Sequence, residues 1–198
     1  MSNLTDVPLI RCVVLGDNDR LEILRRYAQL SGLPYDDEIC EVITAFNGQK
    51  CQFLDATSFG DNLLFQGEIH AILLCVSVAR EATVDQTIKM VMDTITAIGS
   101  IPFVLVGTQI DKRTKILHNG TDSTLPMSLS QAESFAKRIG AAKYLECSAA
   151  TGEGLDEVFE DAFEVGRKYA IEQFRIVQRK KSGLYDSNNA RKQSCIQQ

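Results

Sequence analysis

The sequence predicts an α/β fold: a doubly wound, six-stranded mixed sheet with helices on both faces. Three observations carry that expectation. Apolar, β-branched runs, the pattern of strands buried on both faces, recur at Leu9–Gly16, Ala71–Val78 and Phe103–Val106. Stretches with apolar residues at helical spacing fall between them. Asn47-Gly48, flanked by strand-like Ile39–Phe46 and Lys50–Leu54, is the strongest short hairpin signal in the chain.

The elements follow in order. After the first strand, Leu21, Leu24 and Ala28 share one helical face, with Ile23, Tyr27 and Leu30 beside them. The hairpin comes next, then the central strand at Ala71–Val78. A long helix is expected over Ala82–Ile98, ended by Gly99. The strand at Phe103–Val106 leads into a polar excursion from Lys112 to Ser128. Ala132, Phe135, Ala136 and Ile139 mark a helix closed by Gly140, and Lys143–Cys147 reads as the last strand. A final helix opens near Gly154, with Leu155, Val158, Phe159, Ala162 and Phe163 as its apolar stripe. From Ser182 the pattern dissolves into Gly, Ser, Asn, Arg and Lys. The expected organisation is therefore one domain over residues 1–181 and a disordered basic tail over 182–198. Right-handed crossovers gather the loops at the strand C-terminal ends on one rim, where such folds bind ligands.

Bulk properties narrow the function. A chain of 198 residues can bury roughly 70% of its unfolded surface. Its net charge of -5 argues against general nucleic-acid binding, which needs a basic face. No apolar stretch approaches the ~18 residues of a membrane span, and the N-terminus lacks a basic-then-apolar leader. Of 6 cysteines, Cys12, Cys40, Cys51, Cys75 and Cys147 fall in apolar, strand-like runs without C-x-x-C spacing. Reduced, buried thiols are expected, with no metal cluster and a cytoplasmic setting.

Two short stretches carry the functional signal. Thr108-Gln109-Ile110-Asp111 follows the strand Phe103–Gly107, and Ser148-Ala149-Ala150 follows Lys143–Cys147. With Leu15-Gly16-Asp17, Asp55 and Gly154-Leu155, they make the chain resemble the Rho family of Ras-like small GTPases over about Pro8 to Lys181. The resemblance implies the Ras-like P-loop NTPase fold and a guanine pocket. In that pocket Asp111 would accept hydrogen bonds from guanine N1 and N2, and Thr108 would brace the loop. The stem of Gln109 would cover the base, Ser148 would hold Asp111, and the Ala149 N–H would meet guanine O6. The competing reading is a plain strand-end turn held by Asp and Ser after nucleotide binding was lost.

The phosphate loop reads differently. A working loop is G-x-x-x-x-G-K-[ST]: backbone N–H groups cradle phosphates, Lys neutralises them and the hydroxyl binds Mg²⁺. Here the stretch is Gly16-Asp17-Asn18-Asp19-Arg20-Leu21-Glu22-Ile23. Counted position by position, Leu21 replaces the second glycine, Glu22 the lysine and Ile23 the hydroxyl. At about 4 Å and an effective dielectric near 20, each unit-charge pair is worth roughly 4 kcal/mol, so a lysine-to-glutamate reversal costs several powers of ten in affinity. Arg20, the only nearby cation, is read as a helix-surface arginine, with a reach back to a phosphate as the alternative. Pro34-Tyr35 and Asp55-Ala56-Thr57-Ser58-Phe59 stand where the family has its phosphate-sensing segments. Of these, Asp55 alone keeps the family's residue type as an outer-sphere metal partner. Phosphate, Mg²⁺ and water positioning all lose their supports, so no catalytic residues and no GTP hydrolysis are expected. GTP or GDP would bind weakly, and Mg²⁺ is not expected.

Two further features point outward. Phe59, Leu63, Leu64 and Phe65 form an apolar cluster suited to protein effectors or scaffolds, with core packing as the rival explanation. The chain ends Cys195-Ile196-Gln197-Gln198 behind a basic stretch, which fits C-a-a-X prenylation by position and attachment to the cytoplasmic membrane face. A solvated, unmodified tail is the alternative. The leading reading is a Rho-like pseudo-GTPase acting as a protein-binding module. Behind it stand an unconventional guanine-nucleotide switch and an active small GTPase.

Overall fold

The computed structural model describes residues 7–56, 69–79, 89, 92–93, 96, 100–113 and 128–194, with side chains described as far as Lys181. Its centre is a sheet of β1 Leu9–Gly16, β2 Tyr35–Asp36, β3 Glu41–Phe46, β4 Gln49–Asp55, β5 Ala71–Ser77, β6 Phe103–Thr108 and β7 Lys143–Glu146. The sheet is 7-stranded, in the order β2-β3-β4-β1-β5-β6-β7. The expected six strands gain a seventh because Tyr35 and Asp36 pair with Val42 and Glu41. A strand that short carries no periodicity to read. β2, β3 and β4 run antiparallel, while β1, β5, β6 and β7 join as a parallel block.

Local chemistry explains the connections. Asn47 and Gly48 take φ of 51° and 79°, the left-handed pair of a type I′ hairpin turn. β3 begins at Glu41 rather than Ile39, and Cys40, at φ 49°, sits in the turn before it instead of in a strand. Three helices are described: α1 Arg20–Leu30, α2 Leu129–Arg138 and α3 Leu155–Ser194. Ser128 and Gln131 cap α2 reciprocally, each side chain accepting from the other's backbone N–H. Of the helix expected over Ala82–Ile98, helical backbone is described at Lys89, Met92, Asp93 and Thr96, and the remainder lies outside the described residues.

Alternation along β1 feeds two cores. Ile10, Cys12 and Val14 face α1 and α3, whereas Val13 joins Ile72, Leu74, Leu105 and Ala136 on the α2 side. On the first side Tyr27 stacks on Phe159 with ring centroids 3.9 Å apart, and Phe53 meets Phe159 edge-on at 4.8 Å. Leu30, expected on the buried stripe of α1, is exposed at its last turn. The backbone of α3 is helical to Ser194. A helix anchored by a packed base extends one hydrogen bond per residue without a new nucleus, so an apolar stripe is not needed to continue it. Among the described residues no helix is long and apolar enough to cross a membrane.

Candidate functional site

The C-terminal ends of β1, β5, β6 and β7 form one rim, and the sequence-predicted base loops meet there. β6 is buried along its whole length and ends at Thr108, where Gln109 turns the chain with a left-handed φ of 62°. Ser77 Oγ, at the end of β5, donates to Gln109 Oε1 at 3.0 Å and holds that turn. After β7, Ser148 is buried and its Oγ donates to Asp111 Oδ1 at 2.7 Å. Ser148 Oγ also accepts from the Thr151 N–H at 3.2 Å. The two loops are thus tied by one side-chain bond between residues far apart in sequence. Gly154 closes the second loop: its φ is +72° and a Cβ there would run into the Glu146 carbonyl oxygen.

A second brace lies below the loops. The Arg113 guanidinium forks onto Glu146, with Nη1 to Oε2 at 2.9 Å and Nη2 to Oε1 at 2.6 Å. Tyr144 OH donates to the same carboxylate at 2.7 Å. Burial works against the charged form of Glu146, but the Arg113 and Tyr144 hydrogen bonds win and hold its carboxyl below the ordinary range. Sequence reading passed over Arg113, because a cation in a polar excursion carries no periodic signal.

The phosphate loop is closed on itself. Only Asp17, Asn18 and Asp19 separate β1 from α1, whereas the motif places five residues between its first glycine and its lysine. The residue that opens the helix is therefore Arg20, not Glu22. Arg20 is no surface arginine: its Nε donates to Asp55 Oδ2 at 2.5 Å and Nη2 to Oδ1 at 3.3 Å. Side-chain exposure is 9% for Arg20 and 0% for Asp55. Nη1 donates further to the Gly16 and Asp17 carbonyls at 2.9 and 3.2 Å. Glu22, by contrast, is exposed on the first turn of α1. Leu21 is half-buried there, and Ile23 is a core residue.

Two N–H groups at the ends of the loop are also engaged. The Asp17 N–H donates to the Cys75 carbonyl at 3.0 Å and the Arg20 N–H to the Asp17 carbonyl at 3.1 Å. The Asp17 carboxylate caps the end of β5, accepting from the Ser77 N–H at 2.8 Å. Gly16 permits this closure, since at φ +111° a Cβ would strike the Cys75 carbonyl. Asp19 turns inward beside Thr108. Burial raises its carboxyl above the usual range, the Thr108 hydroxyl offsets part of that rise, and neighbouring Asp17 and Glu22 add to it. The Thr108 hydroxyl itself is buried without a bond of standard geometry.

Among the described residues no group of three or more His, Cys, Asp or Glu is placed to hold a metal ion. The described cysteines Cys12, Cys40, Cys51, Cys75 and Cys147 are all free thiols. Burial pushes the Cys51 and Cys75 thiols well up and that of Cys147 to about 12. Phe59, Leu63, Leu64, Phe65 and Cys195 lie outside the described residues.

Against this geometry, the Ras family model matches residues 62–168, a span holding both base loops and beginning after β4. The chain is a Rho-like member of the Ras family. It is 35% identical over 97 residues to GTP-binding protein rho5 of Schizosaccharomyces pombe, covering 47% of this chain and 48% of that one. Against GTP-binding protein RHO1 of Candida albicans it is 38% identical over 97 residues, 47% and 49% of the two chains. Against GTP-binding protein RHO2 of Saccharomyces cerevisiae identity is 49% over 63 residues, 31% and 32%. The chain spans about half the length or less of the curated relatives it matches.

The two halves of the family's ligand test differently against these residues. The base side fits: Ser148 fixes Asp111 and the turn at Gln109 is pinned. The phosphate and metal side does not fit. The space beside Asp55 is filled by a guanidinium, and the residue after Arg20 at the helix start is Leu21, which offers no hydroxyl.

Proposed function

We propose that this Rho-like chain is a pseudo-GTPase: a signalling protein that keeps the fold, presents protein-binding surfaces and does not hydrolyse GTP. One observation carries the reading, the buried pair between Arg20 and Asp55. In the family's chemistry that aspartate supports Mg²⁺, and Mg²⁺ neutralises the phosphates. Here a covalently tethered cation neutralises the aspartate instead. Admitting Mg²⁺ and a triphosphate would require pulling Arg20 off a carboxylate fully shielded from water. The loop that should wrap the phosphates is short and bonded to the end of β5 and across its own turn. A site already filled by the chain's own cation suits a scaffold better than a nucleotide cycle.

Exposed apolar residues support a partner-facing role. Ile39 and Ile43 are 46% and 47% exposed beside the short edge strand β2. Phe59, Leu63, Leu64 and Phe65 belong to the same proposal on sequence alone, as does membrane attachment on the cytoplasmic face through a prenylated Cys195.

The test is the nucleotide content of the purified protein, followed by thermal unfolding with GTP or GDP, with and without Mg²⁺. A ligand at about 100 times its Kd adds roughly 2.7 kcal/mol of stability. The proposal expects no bound nucleotide and no shift at millimolar ligand. Co-purified GDP, or Mg²⁺-dependent turnover abolished by Asp55→Ala, would overturn it. The tied base loops favour one alternative, a weak Mg²⁺-independent guanine-nucleotide switch. In that case GDP raises the melting temperature without Mg²⁺, and Asp111→Ala removes the effect.

A further inference from the structure

A cavity of about 640 Å³ opens at the end of the sheet opposite the nucleotide rim. Its origin is the path of α3. Beside β1 the helix lies close, with Gly166 so near Ile10, Ala71 and Cys12 that a Cβ would already be tight. From Ala170 onward the helix outruns β1, whose first residue is Leu9, and the hollow is lined by that overhang and by the residues at the starts of the strands. Between Ala170 and Lys181 the helix rises a further ~16 Å. Leu9, Ile69, Ile101, Ala170 and Phe174 make the apolar wall.

The polar lining is one-sided. Arg11 and Lys181 stand at the hollow with His70, and the described lining contains no carboxylate, in a chain of net charge -5. His70 Nδ1 accepts from the Arg11 N–H at 3.0 Å, which commits that ring nitrogen as an acceptor and fixes the ring against β1. Arg11 Nε donates to Gln52 Oε1 at 2.8 Å, so its guanidinium is positioned rather than swinging in solvent. Volume, apolar walls and a few placed polar groups are the features of small-molecule sites, which run ~300–1,000 Å³.

We propose that this cavity binds a small anionic amphiphile, a monomeric acid with an aliphatic body. The body lies along Leu9, Ile101 and Phe174, and the acid head faces Arg11 and Lys181. The site is remote from the Arg20–Asp55 lock and does not depend on whether the chain binds nucleotide.

The probe is sodium decanoate below its micelle concentration, titrated calorimetrically into the full chain, with decanol and decyltrimethylammonium as the neutral and cationic arms. Saturable one-to-one binding of decanoate is expected, at least tenfold tighter than the cationic analogue. Gln173→Trp fills the hollow from a helix position at its edge and should weaken decanoate at least tenfold with the melting temperature unchanged. Should that variant misfold, Val177→Trp, at a 46% exposed position, serves the same purpose. Arg11→Gln with Lys181→Gln should weaken decanoate about tenfold and leave decanol unaffected. Absence of saturable decanoate binding overturns the proposal. So does equal binding of the cationic analogue, or full affinity in a folded variant carrying the tryptophan.

Discussion

Replacing Arg20 with methionine tests the lock directly. The substitution leaves the Asp55 carboxylate with 0% side-chain exposure and removes the donor from the Gly16 and Asp17 carbonyls. Removing one partner of a buried ion pair costs about 3–5 kcal/mol, because the other charge stays buried and uncompensated. A domain of this size has on the order of 5–15 kcal/mol in total. The variant therefore loses roughly a fifth or more of its stability, and its melting temperature falls by roughly 6–20 °C at about 2–4 °C per kcal/mol. Asp55→Leu alone strands the guanidinium and should cost a similar amount. The double variant Arg20→Met with Asp55→Leu replaces both charges by packed apolar groups, a change that is often neutral or stabilising. It should be less destabilised than either single variant. The assay is urea unfolding followed by far-ultraviolet circular dichroism, with all four proteins at one pH and salt. A loss under about 1 kcal/mol for Arg20→Met would reduce the pair to an ordinary surface contact. Additive single losses in the double variant would show that the two side chains do not depend on each other.

Two further outcomes follow from the rim. Asp19 holds its proton more tightly in the folded chain than in the unfolded one, so its contribution is present below the ordinary carboxylate range near 3.9 and is lost as pH rises through the raised value. Asp19→Asn should accordingly be more stable than the natural chain at pH 7, with the advantage disappearing below about pH 4 in paired thermal melts. Ser148→Ala strips the Asp111 carboxylate and the Thr151 N–H of a shared partner, and should cost about 1–3 kcal/mol in urea unfolding.

What the sequence makes legible follows the range of its signals. Strands buried on both faces announce themselves as apolar runs: β5 lies within the run that named it, and β6 starts where its run starts and extends two residues past it, to Thr108. The hairpin is legible because its turn needs left-handed backbone at two positions and Asn-Gly supplies both. The Ser148–Asp111 tie is legible through family resemblance, since both residues keep their types at the ends of two strands. Arg20 was not. Residue counting against the phosphate motif assumes a loop of fixed length, and it put Glu22 where the lysine should be. The chain instead shortens the loop and starts α1 at Arg20. Nothing local to Arg20 names Asp55, which ends β4, the second strand of the hairpin.

That misreading changes the physics of the proposal. If a glutamate had replaced the lysine in an otherwise open cradle, the site would be a hollow that repels phosphate, and one substitution back to lysine would go far toward restoring it. A guanidinium spanning Asp55 and two loop carbonyls is a filled site, held by four donor–acceptor contacts beside a turn whose Asp17 and Arg20 N–H groups bond within the protein. Charge reversal at exposed Glu22 should then do little, because the cation it would restore is already present in another form and already bound. Reopening the cradle needs a longer loop as well as the loss of Arg20. On the pseudo-GTPase proposal, the barrier to a nucleotide cycle lies in backbone length, while the base loops are stabilised by their own tie whether or not a base is bound.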